Sequence, residues 1–433
     1  MKVKVVGAGL AGSEAAFYLA NRGVKVTLYD VKPGAFSPAH KSAGFAELVC
    51  SNSLKSADVY GNAAGLLKEE MRLLGSVTMA AAEHAKVPAG GALAVNREEF
   101  SAFITDKIKN HPNIEFVSRE ITEIPKDGYA LIATGPLTFG RLAASLEELA
   151  GRLYFYDASA PIIAADSIDE KHSFKGDRYG KGGGDHINCP MDKDEYLAFY
   201  DALINAERAT LHGFEKAEIF EGCMPVEVMV ARGKDTLRFG PLKPVGLIDP
   251  ATGKRAYAVL QLRREDRAGT MYNMVGFQTN LKFGEQKRVF SMIPALRGAE
   301  FLRYGVMHRN TFINSPTALD ADYSFKARPE VFVAGQLSGV EGYVESAGSG
   351  LLAAIYLERK LKGKKRILIS ENTVLGALAK YVTAPNKNFQ PMNANFGILP
   401  PVPVRDKAER KRLAAVRSLD EVRRFINEIN QGE

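Results

Sequence analysis

Lys2–Val6 alternates polar and apolar positions as a short strand does, and Gly7-Ala8-Gly9-Leu10-Ala11-Gly12 follows at once. Over Ser13–Arg22 the apolar positions shift to helical spacing, placing Ala15, Ala16, Leu19 and Ala20 on one face. Gly23 ends that helix, and Val24–Tyr29 reads as a second strand closing at Asp30. The three elements make a βαβ opening. Further patterns predict a helix over Phe100–Asn110, an extended run over Ile114–Val117 and a strand over Tyr129–Ala133 that stops at Thr134-Gly135-Pro136.

The middle of the chain changes character. Gly176–Gly184 is glycine-rich and polar, and from Val226 to Leu281 short β-like runs are broken by Gly and Pro. A buried-type strand returns at Val331–Val333 and meets Gly335, and a long helix is predicted over Tyr343–Leu361. The expected organisation is a first domain over residues 1–185, an inserted substrate domain over 186–324, and the rest of the first domain over 325–433, ending in basic helices. The fold class is α/β: a Rossmann-like flavoprotein fold of two-dinucleotide-binding-domain type with an inserted α+β domain.

The glycine loop carries the first chemical reading. It follows a strand, opens a helix, and has an acid 18 residues beyond its last glycine. Gly7 makes the tight turn, Gly9 lets backbone approach a pyrophosphate, and Gly12 permits close helix–strand packing. Ala8, Leu10 and Ala11 complete the loop, whose helix start offers unpaired N–H groups and a partial positive charge to phosphates. Asp30 is the expected acceptor for ribose hydroxyls. FAD rather than NAD follows from the second half. There Gly335-Gln336 ends a strand, and Gly342-Tyr343 with Ser346, Ala347 and Gly348 opens a helix poor in side chains, suited to a flat ring or a second phosphate oxygen. Thr134 and Gly135, ending a strand before a proline, fit the intermediate crossing. A second G-x-G-x-x-G is absent, so a nicotinamide donor has no Rossmann unit of its own and is expected to visit the flavin through the substrate cleft.

Composition narrows the classes. The 433 residues are 46% hydrophobic and 25% charged, as in an ordinary soluble protein, and no apolar run reaches membrane-spanning length. No cleavable signal precedes the first strand, and three cysteines are too few for a disulfide framework, so a reducing cytoplasm is expected. Net charge is +7, and residues 351–433 hold 16 Lys/Arg against 8 Asp/Glu, so the excess lies toward the C-terminus. Such a surplus suits a polyanion, although a run like Arg405–Arg424 is also what a solvated helix looks like. The seven histidines are scattered, and no metal site is expected. Cys50, Cys189 and Cys223 show no C-x-x-C spacing. Cys50 and Cys223 stand beside polar or glycine-rich backbone where a thiolate can be stabilised, whereas Cys189 reads as structural.

Longer segments carry a resemblance. GAGLAGSEAA (7–16), ELVCSNSLKS (47–56), VPAGGALAVNREEFS (87–101), EGCMPVE (221–227), MVGFQTNLK (274–282), RYGVMHRNTFINSP (303–316), AGQLSGVEGYVES (334–346) and FQPMNANFG (389–397) closely resemble the folate- and FAD-dependent tRNA (uracil-5-)-methyltransferases. The likeness runs over nearly the whole chain. Departures are small: Asp30 and Lys32-Pro33 replace the family's Glu and Arg-Pro, and Gly184 and His186 stand where an acid and a Tyr are expected. The resemblance implies 5-methyluridine formation in the tRNA T-loop, with methylenetetrahydrofolate as carbon donor. Uracil C5 attacks carbon only after a thiolate adds at C6. The methylene unit then needs a hydride, which reduced FAD recharged by NADH or NADPH supplies. By the same resemblance Cys223 is the thiol that attacks the base and Cys50 a second thiol or proton-transfer partner near the flavin. His308 is a candidate lid or stacking group for folate, and Arg303, Arg309 and the basic C-terminal helix are candidate phosphate contacts. Whether the carbon travels by way of the flavin stays open. So do two other readings: a flavin oxidoreductase of a small substrate with no RNA role, and an RNA-binding flavoprotein with inert thiols.

Overall fold

The computed structural model describes residues 2–37, 39–180, 182–209, 224–266, 268–386 and 389–431, with backbone alone at 152–158, 308 and 309. Its central layer is a five-stranded parallel sheet in the order Val331–Val333, Tyr129–Ile132, Lys2–Val6, Lys25–Asp30, Ile114–Ser118. Val3, Val5, Val26, Leu28, Leu131, Val331 and Phe332 are buried, as strands covered on both faces require. From Lys2–Val6 the chain moves to one side for two strands and then returns to the other. The carboxyl ends of Lys2–Val6 and Tyr129–Ile132 therefore flank a topological switch point, where sheets of this class bind ligands.

Two helices cover one face and touch along their length: Leu10–Asn21 and Tyr343–Leu361. Their contact needs small residues, because a Cβ at Gly350 would sit 2.2 Å from the carbonyl oxygen of Ala11. The long helix has the bounds that the pattern predicted, and the first begins three residues earlier, at Leu10.

A second lobe is built on a six-stranded antiparallel sheet ordered Phe174–Lys175, Ile187–Met191, Ala258–Arg264, Met271–Met274, Ile162–Ala164, Phe301–Arg303. Its core, with Tyr196, Phe199, Phe277 and Phe290, runs from Ile163 to Phe301, earlier at both ends than the expected 186–324. Phe312, Leu319 and Phe325 pack into the first core instead. The stretch read as short β-runs begins with two short helices, Val226–Val230 and Thr236–Phe239, before Ala258–Arg264 forms a strand. Arg152–Ala158 pairs with Met307–Ile313 as a two-stranded ribbon linking the lobes.

The C-terminal helix Lys407–Asn430 lays Ala415, Leu419, Val422 and Phe425 against the first lobe. Among the described residues no helix is long and apolar enough to cross a membrane.

Candidate functional site

The glycine loop emerges where the sequence placed it. Gly7 has φ +103°, and a Cβ there would lie 2.4 Å from the Ala133 carbonyl oxygen. A Cβ at Gly12 would meet the Gly7 carbonyl at 1.8 Å, whereas Gly9 faces open space. Crowding behind the loop and room in front of it are what a pyrophosphate against backbone requires. Asp30 ties the loop down: its carboxylate accepts from the Ala8 amide at 2.7 Å and the Lys32 amide at 2.9 Å. A carboxylate has about four acceptor positions, which leaves capacity for ribose hydroxyls.

A cleft of about 1310 Å³, solvent at its mouth included, runs from this loop across the sheet. Gly7, Gly9, Leu10, Ala11, Asp30, Thr134, Gly135, Gly335, Gln336, Tyr343 and Ser346, all expected at the cofactor, line it. Ala8 and Gly12 lie behind it. Ala347 and Gly348 are not among the lining residues: they are buried in the long helix, Gly348 against Leu375 and Met71. Neither Leu10–Asn21 nor Tyr343–Leu361 has a side-chain cap at its start, so both offer first-turn amides toward the cleft. Elongated shape, two helix starts and an acid at the second strand's end fit FAD. Lys32, His40 and Arg119 also line the cleft without having been singled out. Of these, only the Lys32-Pro33 departure was visible in the sequence.

A second cleft of about 1200 Å³, its open mouth included, adjoins the first, and the two share Val49, Pro136, Leu137, Gln336 and Tyr343. Cys50 lines it beside Lys55, Asn310, Arg303 and Gly342. The Tyr343 hydroxyl accepts from the amides of Cys50 at 2.7 Å and Ser51 at 3.2 Å, and lies 2.9 Å from the Cys50 sulfur. Burial, first, and then the neighbouring Cys50 raise the Tyr343 hydroxyl well above its ordinary value, so it keeps its proton. Glu345, one turn into the helix, is buried and pairs with Lys55 at 2.7 Å.

Other expected residues fall differently. Arg303 lines the second cleft and donates to the Val49 carbonyl at 2.5 Å. On the C-terminal helix Arg412, Arg423 and Arg424 pair with Glu409, Asp420 and Glu421, acids one turn away. Cys189 is fully buried, and burial pushes its thiol far above the ordinary range. Cys223 lies outside the described residues, as do the side chains of His308 and Arg309. The described chain resumes at Met224, and Val226 donates its amide to the carbonyl of Gln278, a residue lining the second cleft. At the departures, His186 contacts Asp177 at 2.5 Å and Gly184 takes φ +77° while its amide also reaches Asp177. These residues organise their own loop and do not line either cleft. No group of three or more His, Cys, Asp or Glu among the described residues could hold a metal ion.

A model of the glucose inhibited division protein A family matches residues 2–365. Similar curated proteins include the methylenetetrahydrofolate--tRNA-(uracil-5-)-methyltransferase TrmFO of Acetivibrio thermocellus, 56% identical over 430 residues and covered to 98% in both chains. The protein of the same name from Bacillus cytotoxicus is 57% identical over 98% of this chain and 99% of its own. Aquifex aeolicus GidA, solved in two crystal forms, superposes with TM-scores of 0.70 and 0.69 at 14% and 15% identity. Those alignments cover 98% and 99% of this chain and 73% and 79% of the GidA chains, a likeness of fold.

Proposed function

The chain belongs to the methylenetetrahydrofolate--tRNA-(uracil-5-)-methyltransferases within the glucose inhibited division protein A family, and from that premise we infer that it makes 5-methyluridine in tRNA. The observation that carries this to the site is the pair of adjoining clefts, one shaped for a dinucleotide and one bearing Cys50, joined at Tyr343. Bound FAD, recharged by a nicotinamide donor, supplies the hydride that takes the donated carbon from methylene to methyl.

The chain's own residues do the rest. Asp30 and the amides of the two helix starts bind and orient the dinucleotide. The second cleft receives the folate and the uracil; His308 is our candidate for covering the pterin. We assign Cys223 as the thiol that adds to uracil C6, making C5 nucleophilic, and Cys50 as the second thiol beside the flavin. The T-loop as the address of the target base, and the cytoplasm as the place of reaction, rest on the family resemblance. Reaching a stacked base takes an opening of the RNA that exposes it.

The assignment of Cys223 is tested with tRNA carrying 5-fluorouridine, whose C5–F bond blocks loss of the substituent and holds the thioether. Wild-type protein given methylenetetrahydrofolate and NADH should form a denaturation-stable protein–RNA adduct that peptide mapping locates at Cys223, and Cys223→Ala should form none. Undiminished adduct in Cys223→Ala would reject the assignment.

A further inference from the structure

The loop carrying Cys50 is gripped by three guanidinium groups brought from distant parts of the chain. Arg97, at the start of helix Arg97–Lys109, donates to the carbonyls of Leu48 at 3.0 Å and Val49 at 3.3 Å, and Arg303 donates to Val49. Arg263, from the second lobe, donates to Ser51 Oγ at 2.8 Å and Asn52 Oδ1 at 3.2 Å. Arg263 is buried, with about 8% of its surface exposed. Glu265, also buried, pairs with Arg97 at 2.9 Å. Its single negative charge faces three positive ones, and unbalanced charge in a buried setting is unfavourable unless an anion completes it.

Tyr343 says where that anion is. A hydroxyl has two acceptor positions and one proton, and the amides of Cys50 and Ser51 occupy the acceptor positions. The proton is left for the remaining contact, the Cys50 sulfur at 2.9 Å, which is then the acceptor. A thiolate accepts that bond far better than a thiol does.

We propose that Arg97, Arg263 and Arg303 are positioning residues that, with the Tyr343 hydroxyl, hold Cys50 as a thiolate in the resting enzyme. This rests on the reading of the adjoining clefts as the reaction site. Among the described residues the charged groups around this loop and its cleft are Arg97 from its helix start, Arg263, Glu265 and Arg303 from the second lobe, and Lys55, Glu341 and Glu345 lining the cleft beside Tyr343, a balance of one positive charge before the thiolate is counted. Two of the three arginines come from the second lobe, so its docking against the loop contributes to holding the thiolate.

The test is the pH profile of Cys50 alkylation in the FAD-loaded protein. Iodoacetamide is the probe, and peptide mass spectrometry reads each cysteine separately. No methylation is required, so the outcome is independent of whether the protein modifies tRNA. Wild-type Cys50 should react with a midpoint at least one unit below the ~8.5 of a free cysteine. Arg303→Gln should raise that midpoint by on the order of one unit, about a tenfold slower reaction at pH 7, while Arg303→Lys stays near wild type. Glutamine can still donate to the Val49 carbonyl, so a merely structural role predicts that Gln and Lys behave alike. Arg263→Gln, a second variant in a separate strand, should shift the midpoint in the same direction. An ordinary midpoint in wild type, no labelling of Cys50 up to pH 10, or equal midpoints for the Gln and Lys variants would each overturn the proposal.

Discussion

Asp30 stands at the end of the second strand with its two oxygens already 2.7 and 2.9 Å from the amides of Ala8 and Lys32. It thus fixes the loop that meets the phosphates and offers its remaining acceptor capacity to the ribose. Charge-assisted hydrogen bonds contribute about 1.5–3 kcal/mol each. Asp30→Ala should therefore weaken FAD binding by roughly 10- to 100-fold, measured by equilibrium titration of flavin fluorescence. Unchanged affinity would remove Asp30 from the cofactor site. This residue was legible in the sequence because its role depends on strand, loop and spacing, all local. The grip of the arginines on the Cys50 loop was not legible: Arg303 was expected at a phosphate instead, Arg97 and Arg263 were given no role, and the three meet only in the folded chain. Tyr343 was half legible, expected at the cofactor for its position but not as the hydroxyl on Cys50.

Two kinds of helix start matter most to the fold and the site. Those at Leu10 and Tyr343 have no side-chain cap and face the cleft. Others are closed by carboxylates from far along the chain. Glu14 accepts from Ser76 Oγ and the amides of Val77 and Thr78, and Glu70 accepts from the amides of Val374 and Leu375 and from Ser418 Oγ. Burial pushes the Glu70 carboxyl up to about 7, but those three donors favour its charged form. Glu70→Ala strips two buried amides of their acceptor and should destabilise the start of helix Val374–Thr383 by about 2 kcal/mol. Hydrogen exchange at Val374 and Leu375 should then lose roughly 30-fold in protection, with distant strands unaffected. Protection within twofold of wild type would show that the cap is dispensable. Sequence pattern gave the long helix its bounds, since periodicity is a local property. It missed Val226–Val230 and Thr236–Phe239, because the flanking Pro225, Gly233, Gly240 and Pro241 resemble the punctuation of short strands.

On the scale of the molecule, a parallel sheet presents a dinucleotide cleft at its switch point, and an inserted antiparallel lobe closes over it. The contact between them is specific: Asn52 donates to the Arg264 carbonyl at 2.7 Å, and Arg97 pairs with Glu265. The insertion itself was legible as a change of composition between two halves of one Rossmann-like unit. Its edges were not, because Ile162–Ala164 and Phe301–Arg303 join the second sheet by pairing that no sequence pattern marks. Positive charge is densest at the end of the long helix and the turn after it, where six of the eight residues at 359–366 are Lys or Arg, although Lys362 and Arg366 pair with Glu358 and Asp320 as Arg412, Arg423 and Arg424 pair with acids on the C-terminal helix. The central claim is that these parts jointly turn folate-borne carbon and flavin-borne hydride into a methyl group on tRNA uridine. Its most direct test supplies FAD-loaded protein with an unmodified tRNA transcript, methylenetetrahydrofolate and NADH, followed by nucleoside analysis with each component omitted in turn. The account predicts 5-methyluridine only in the complete mixture. NADH oxidation that proceeds with no tRNA product in the complete mixture would contradict it and return the chain to the small-substrate oxidoreductases.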